Sequence, residues 1–194
     1  MEEKMKSRKN KLIVILLLTI TMIFNLSGCL FFSSSRRYLK MSVSDLSKLS
    51  DGALFEALLY RTEAKVVDID DMKEDLSALS DAEKVFYVVS YYDIEWQNGG
   101  LCQYFTNSSR KTAYLLADCL EKIGADEHKE MYLKFIEDND INVNDLSSFM
   151  TNNVLSFIEQ SKRYPFDDYD KAFAKLKPVQ EPLMKYVREH INEF

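Results

Sequence analysis

The sequence predicts a single all-α domain of about seven helices behind a signal peptide and a short tether. Two observations carry that prediction. Gly and Pro are scarce, at 5 and 3 residues in 194, which disfavours turn-rich sandwiches and barrels. From Ser42 onward apolar residues recur at steps of three and four, the helical period, and no strand alternation of useful length appears. A hydrophobic content of 46%, with 12% aromatic residues, is enough to build one core of ordinary size.

The N-terminus gives an address. Five bases, Lys4, Lys6, Arg8, Lys9 and Lys11, precede an apolar run over residues 12–24 that is interrupted only by Thr19 and Thr21. That run has the length of a signal-peptide core and is short for a membrane span. Leu26-Ser27-Gly28-Cys29 resembles the bacterial lipobox, in which small residues precede a Cys whose thiol takes diacylglycerol before cleavage just upstream. An uncleaved signal anchor is the alternative. Residues 1–28 are therefore read as a lipoprotein signal peptide and Cys29 as the lipidation site. Acyl chains such as palmitate, at ~0.8 kcal/mol per buried methylene, would hold the protein on the extracytoplasmic face of the cell membrane. Residues 29–42, with Ser33-Ser34-Ser35 and Arg36-Arg37, form the tether. Cys102 and Cys119 lie among apolar neighbours and read as two buried thiols rather than a disulfide.

Residues 43–194 form the domain. Leu46, Leu49, Ala53, Leu54, Ala57 and Leu58 predict one helix over 42–65, or two broken near Asp51-Gly52. Residues 66–80 are acidic and predict a connection with one short helical piece. Ser80-Asp81-Ala82-Glu83 fits a capping box, opening a helix whose apolar face is Val85, Phe86, Val89, Tyr92 and Trp96. Asn98-Gly99 supplies a helix stop, and 100–105 a short turn. Asn107, Ser108 or Ser109 then caps a helix over 110–123, which Gly124 closes. Residues 126–137 predict another, with Met131, Phe135 and Ile136 inward, followed by a polar turn. Asn144 caps a helix over 145–160 that buries Leu146, Phe149, Met150, Val154, Phe157 and Ile158. Tyr164-Pro165 breaks the chain. Helices over 167–176 and 178–194 complete the domain, the second burying Leu183, Tyr186, Val187 and Ile191.

Charge narrows the function. The formal charge is −6, but the first 28 residues carry a net +3, so the rest carries −9. No basic face is visible, which argues against a nucleic-acid ligand. The two histidines lack metal-ligand spacing, and both His128 and His190 read as surface residues. No Cys-His signature or phosphate loop is present, since Asn98-Gly99-Gly100 lacks the required length and Lys-Ser/Thr ending. The acidic runs at 68–75, 137–145 and 167–170 interleave with 20 remaining Lys and Arg and read as solvated faces and helix-start acids. Nothing implies a cofactor, a metal, a small-molecule substrate or a catalytic residue, so the expectation is a non-enzyme.

One stretch stands apart. Residues 95–109 hold the only Trp and the only Gly-Gly pair. Turning a corner explains Gly99 and a capping Asn107. Trp96, Asn98, Gly99, Gly100, Gln103, Tyr104 and Asn107 are the candidate binding residues, with Gln103 and Tyr104 the least explained by the turn.

The domain resembles the family named for the C-terminal domain of a bacterial DNA-mimic protein, a domain of unknown function. The resemblance rests on Glu95-Trp96-Gln97-Asn98-Gly99-Gly100-Leu101 with Gln103-Tyr104-Phe105, on Asn107-Ser108-Ser109, and on Leu120-Glu121-Lys122-Ile123-Gly124-Ala125. Phe166-Asp167-Asp168-Tyr169-Asp170 and Tyr186-Val187-Arg188 add to it, and together they span about 80–194. The resemblance implies an all-helical domain without known catalysis, whose named member mimics DNA and titrates a transcription factor. A lipoprotein outside the membrane does not meet cytoplasmic DNA-binding proteins, and fold does not fix function. The expectation is a membrane-tethered helical domain that binds an unknown protein partner through the corner or a nearby acidic face. The alternatives are an acidic inhibitor, immunity-like or DNA-mimic protein that neutralises a basic protein, and an enzyme of unknown class.

Overall fold

The structure is a computed structural model that describes residues 36–70 and 73–194; the expected signal peptide, the expected lipidation site Cys29 and the expected tether up to Ser35 lie outside the described residues. The described chain divides into residues 36–41 and the unit Ser42–Phe194. In the first, Lys40 N donates to Arg37 O at 3.1 Å.

In the second unit, α1 (Val43–Leu46) and α2 (Asp51–Glu63) are separate helices. Ser42 and Ser50 explain the break, because each side chain accepts from a first-turn amide and so starts its own helix. The short helix expected within 66–80 is instead a hairpin of β1 (Val67–Asp70) and β2 (Lys73–Asp75), paired antiparallel with Val67 opposite Asp75. Its alternating valine, isoleucine and aspartate pattern is too short to show as a period.

The hub is α3 (Asp81–Thr106), which α2 and the later helices pack against. Ser80 and Glu83 form the expected capping box. Val85, Phe86, Val88, Val89 and Tyr92 are all buried, so this helix is enclosed on most sides, as a central helix must be. A 3-10 turn over Ser108–Thr112 leads into α4 (Ala113–Lys122), so the α-helix begins later than the spacing predicted. Gly124, at φ 73°, ends it: Ala125 N bonds Leu120 O and Gly124 N bonds Glu121 O, the paired bonds of a Schellman stop.

Helix α5 (Asp126–Asp138) buries His128, Tyr132 and Phe135 rather than the expected Met131 and Ile136, which are half-buried. The predicted helix over 145–160 does not form. A 3-10 turn at Ser147–Phe149 buries Leu146 and Phe149, and a separate α6 (Val154–Ser161) starts at an Asn153–Ser156 capping box. Met150, Val154 and Ile158, expected inside, are exposed. Helices α7 (Phe166–Phe173) and α8 (Gln180–Glu189) follow, the latter burying Leu183, Met184 and Val187. Seven of these helices reach eight residues or more, so the all-α expectation stands, with one small hairpin added. Among the described residues no helix is long and apolar enough to cross a membrane.

Candidate functional site

The Asn-Gly-Gly corner does not stop α3; it kinks it. Gly99 has φ −164°, a value open to any residue, and Gly100 adopts φ 71°, ψ −170°, a region that is essentially glycine's alone. The positive φ therefore falls two residues after Asn98, and the chain resumes its helix at Leu101. Asp170 of α7 fills the angle. Its Oδ1 accepts from Leu101 N at 2.9 Å and from Trp96 Nε1 at 3.2 Å. A Cβ on Gly100 would lie 2.0 Å from Asp170 Oδ2. Burial pushes the Asp170 carboxyl up, and the two donated hydrogen bonds partly oppose that.

Most of the predicted binding residues are committed to this joint or to the core beneath it. The Trp96 ring packs on Phe173 at 6.0 Å. Tyr104 is fully buried against Tyr92, Phe105 and Tyr132, and burial pushes its hydroxyl up. Cys102 and Cys119 are free and buried, their thiols pushed up to about 11 and about 12 by burial, which leaves them poor nucleophiles. Only Asn98, Gln103 and Asn107 keep polar groups at the surface. Gln103 Nε2 and Asn107 Nδ2 both donate to Glu95 Oε2, at 2.7 and 2.8 Å, so Gln103 folds back across Gly99.

From Glu95, steps of four back along α3 reach Tyr91 and Tyr87, one stripe of the helix surface. The Tyr91 hydroxyl donates to Glu63 of α2, and the Tyr87 hydroxyl donates to Glu74 of β2 at 3.0 Å, with the two rings 4.8 Å apart. On β1, Asp68 accepts from Lys111 Nζ at 2.7 Å. Glu63, Asp68, Glu74, Tyr87 and Tyr91 surround an open hollow of about 250 Å³, completed by Val66, Ser108, Ser109 and Thr112. Burial pushes Glu74 up, against the lowering effect of Tyr87 and Lys111. Burial first, and the neighbouring carboxylates second, push both tyrosines up, so they stay protonated donors. The hollow is acidic and aromatic, and it lacks a nucleophile paired with a base.

The acids at 68–75 are expected as a solvated face, but the hairpin brings Asp68 and Glu74 to the hollow, Glu74 onto Tyr87 and Asp68 onto Lys111; the four-residue spacing of Tyr87, Tyr91 and Glu95 is the sequence signal for it.

His128 is a second correction. It is buried rather than exposed. Nε2 lies 2.8 Å from Lys177 O, which can only accept, so Nε2 is the donor and Nδ1 accepts from the Tyr92 hydroxyl at 3.2 Å. Both ring nitrogens are thus used in joining α5, α3 and the chain before α8. A larger hollow of about 540 Å³ lies over this histidine, with Asp126, Glu127 and Glu181 offset by Lys177 and Lys185. Among the described residues no group of three His, Cys, Asp or Glu is placed to hold a metal.

Fold and site together define an acidic all-helical domain built on one kinked central helix. A family model described as DMP19-like protein matches residues 77–190, more than half of the chain, and the protein belongs to that family. The match spans the capping box, the corner, Asp170 and α8. No curated protein and no solved structure matches the chain.

Proposed function

We propose that the protein is a membrane-tethered, non-enzymatic domain that binds a basic segment of a partner protein through the groove of Glu63, Asp68, Glu74, Tyr87 and Tyr91. The groove itself carries this reading: three carboxylates and two adjoining tyrosines, their rings tilted at 56°, face one hollow large enough for a lysine or arginine side chain. Carboxylates accept strong charge-assisted hydrogen bonds from such a side chain, and the tyrosine faces add cation–π attraction. Glu95, with Gln103 and Asn107, extends the acidic rim along α3. Membership of a family of DNA-mimic type agrees with an acidic protein that engages a basic one. Lipid on Cys29 would place that partner at the extracytoplasmic face, which favours an envelope or secreted protein over a cytoplasmic repressor.

The test is a pull-down from the membrane fraction across a salt series, using wild type and a Glu63→Gln, Asp68→Asn, Glu74→Gln variant. The wild type is expected to hold a partner that is lost as salt rises, and the variant to lose it at every salt while its circular dichroism is unchanged. Equal capture by both would sink the groove. A tagged fatty acid checks the tether separately, because it should label wild type and not Cys29→Ala.

A further inference from the structure

Helix α6, with only Phe157 of its apolar residues half-buried, departs from the usual arrangement of a surface helix. Such a helix turns apolar residues inward and polar residues to water. In α6, Val154 and Leu155 are 74% and 73% exposed and Ile158 is 41% exposed, while its one buried residue is the polar Gln160. Met150, just ahead of the helix, is 40% exposed. At 100° per residue, Val154, Leu155, Ile158 and Lys162 share one face. Its Asn153–Ser156 cap fixes where the helix begins, so this face is presented by a formed helix.

We propose that this face seats in the interfacial layer of the bilayer that carries the protein, a proposal that rests on the reading of Cys29 as the lipid anchor. Charge supports a lipid surface as the occupant. The chain beyond the signal peptide is strongly acidic, yet Glu159 is the only acid between Met150 and Arg163, and Lys162 and Arg163 are exposed at the C-terminal end of α6. Apolar side chains with bases beside them are what an anionic headgroup layer accepts. The tether also supports it. Twelve residues separate Cys29 from Ser42, so Ser42, where the domain begins, stays within about 45 Å of the anchoring headgroup even when the tether is fully extended. At that range a weak second contact is intramolecular and needs little affinity of its own. A second copy of the chain is the poorer occupant, because four partly exposed side chains fall well short of the ~800 Å² per partner of a stable interface.

The test reconstitutes the full chain into vesicles of phosphatidylethanolamine and phosphatidylglycerol that carry a brominated acyl-chain quencher. An environment-sensitive fluorophore is attached at Leu155→Cys or, as a comparison, at Glu181→Cys on α8. Cys102 and Cys119 are buried, and the parent chain sets their background. The expected result is a blue-shifted emission at 155 that bromolipid quenches severalfold more than at 181, and loss of that quenching when Val154→Asp and Ile158→Asp are added. Equal quenching at 155 and 181, or quenching at 155 that survives the two aspartates, overturns the proposal. So does a signal at 155 that tracks protein concentration and ignores bromolipid, which would assign the face to a second copy. A wild-type chain recovered free of the bilayer refutes the anchor instead. Vesicles added to that released chain then decide α6 on its own: quenching at 155 upholds the contact and its absence overturns it.

Discussion

Two regions of α3 place carboxylates against aromatic residues, and they differ in what is left over. At the kink, one Asp170 oxygen takes the Leu101 amide and the Trp96 indole while the other fills the space a Gly100 side chain would need. In the groove two turns earlier, Glu63 and Glu74 each receive one tyrosine hydroxyl and keep acceptor capacity facing an open hollow. A carboxylate has about four lone-pair sites. When packing uses them the group is a joint; when it leaves them turned toward solvent the group is available to a ligand.

Substitution of Gly100 breaks the comparison hardest. Gly100→Ala combines backbone strain of ~1–3 kcal/mol with displacement of Asp170 from two hydrogen bonds, a further ~1–3 kcal/mol. A loss of about 3–5 kcal/mol is expected by chemical denaturation. Gly99→Ala is its control: φ there is not in the left-handed region, and the new atom displaces the Gln103 amide and crowds the Gln103 Cβ at 3.0 Å, so a smaller loss of about 1–2 kcal/mol is expected. Equal losses at the two glycines would refute the joint.

Asp170→Ala comes next, at about 2–3 kcal/mol, because it leaves the Leu101 amide and the Trp96 indole without their acceptor. Asp170→Asn should cost less, since one amide oxygen can accept both bonds. The two proteins also differ with pH. The folded Asp170 carboxyl is raised by burial, so wild type loses stability as pH rises from the ordinary carboxyl range through the raised value. Asp170→Asn has no such loss and should gain on wild type across that window. Denaturation midpoints of both across that range measure it, and a constant difference would show that the ionised carboxylate costs nothing there.

How much of this was legible in the sequence follows from the range of each interaction. Ser80 and Glu83 act within one turn, as do Gly124 and the carbonyls it caps, so residue type alone located both helix ends. The helix count followed from apolar spacing for the same reason. Asp170 lies 69 residues beyond Leu101, and no local pattern announces that it will close the Gly-Gly corner. The hairpin at 67–75 is too short for alternation to register, which hides the groove that its Asp68 and Glu74 help to line. The apolar spacing around α6 is visible, but spacing gives a face and not its direction, so Val154 and Ile158 read as core from sequence and are exposed in the structure. His128 shows no ligand spacing and so reads as a surface residue, whereas its stripe with Tyr132 and Phe135 is the packing signal that accounts for its burial.

The finest test pairs two aromatic donors. Trp96→Phe keeps a ring against Phe173 and removes only the indole donor to Asp170, a half-buried joint, so about 1–2 kcal/mol should be lost. Tyr91→Phe likewise keeps its ring beside Tyr87 and removes only the hydroxyl donor to Glu63, which is exposed to water. Water can replace that bond, and about 0.5 kcal/mol or less is expected in thermal denaturation. Binding should move the other way. Tyr91→Phe frees Glu63 from its fixed position and weakens capture of a basic partner, while Trp96→Phe leaves capture unchanged at temperatures where it is folded. If Trp96→Phe weakened capture and Tyr91→Phe did not, the assignments of joint and groove would have to be exchanged.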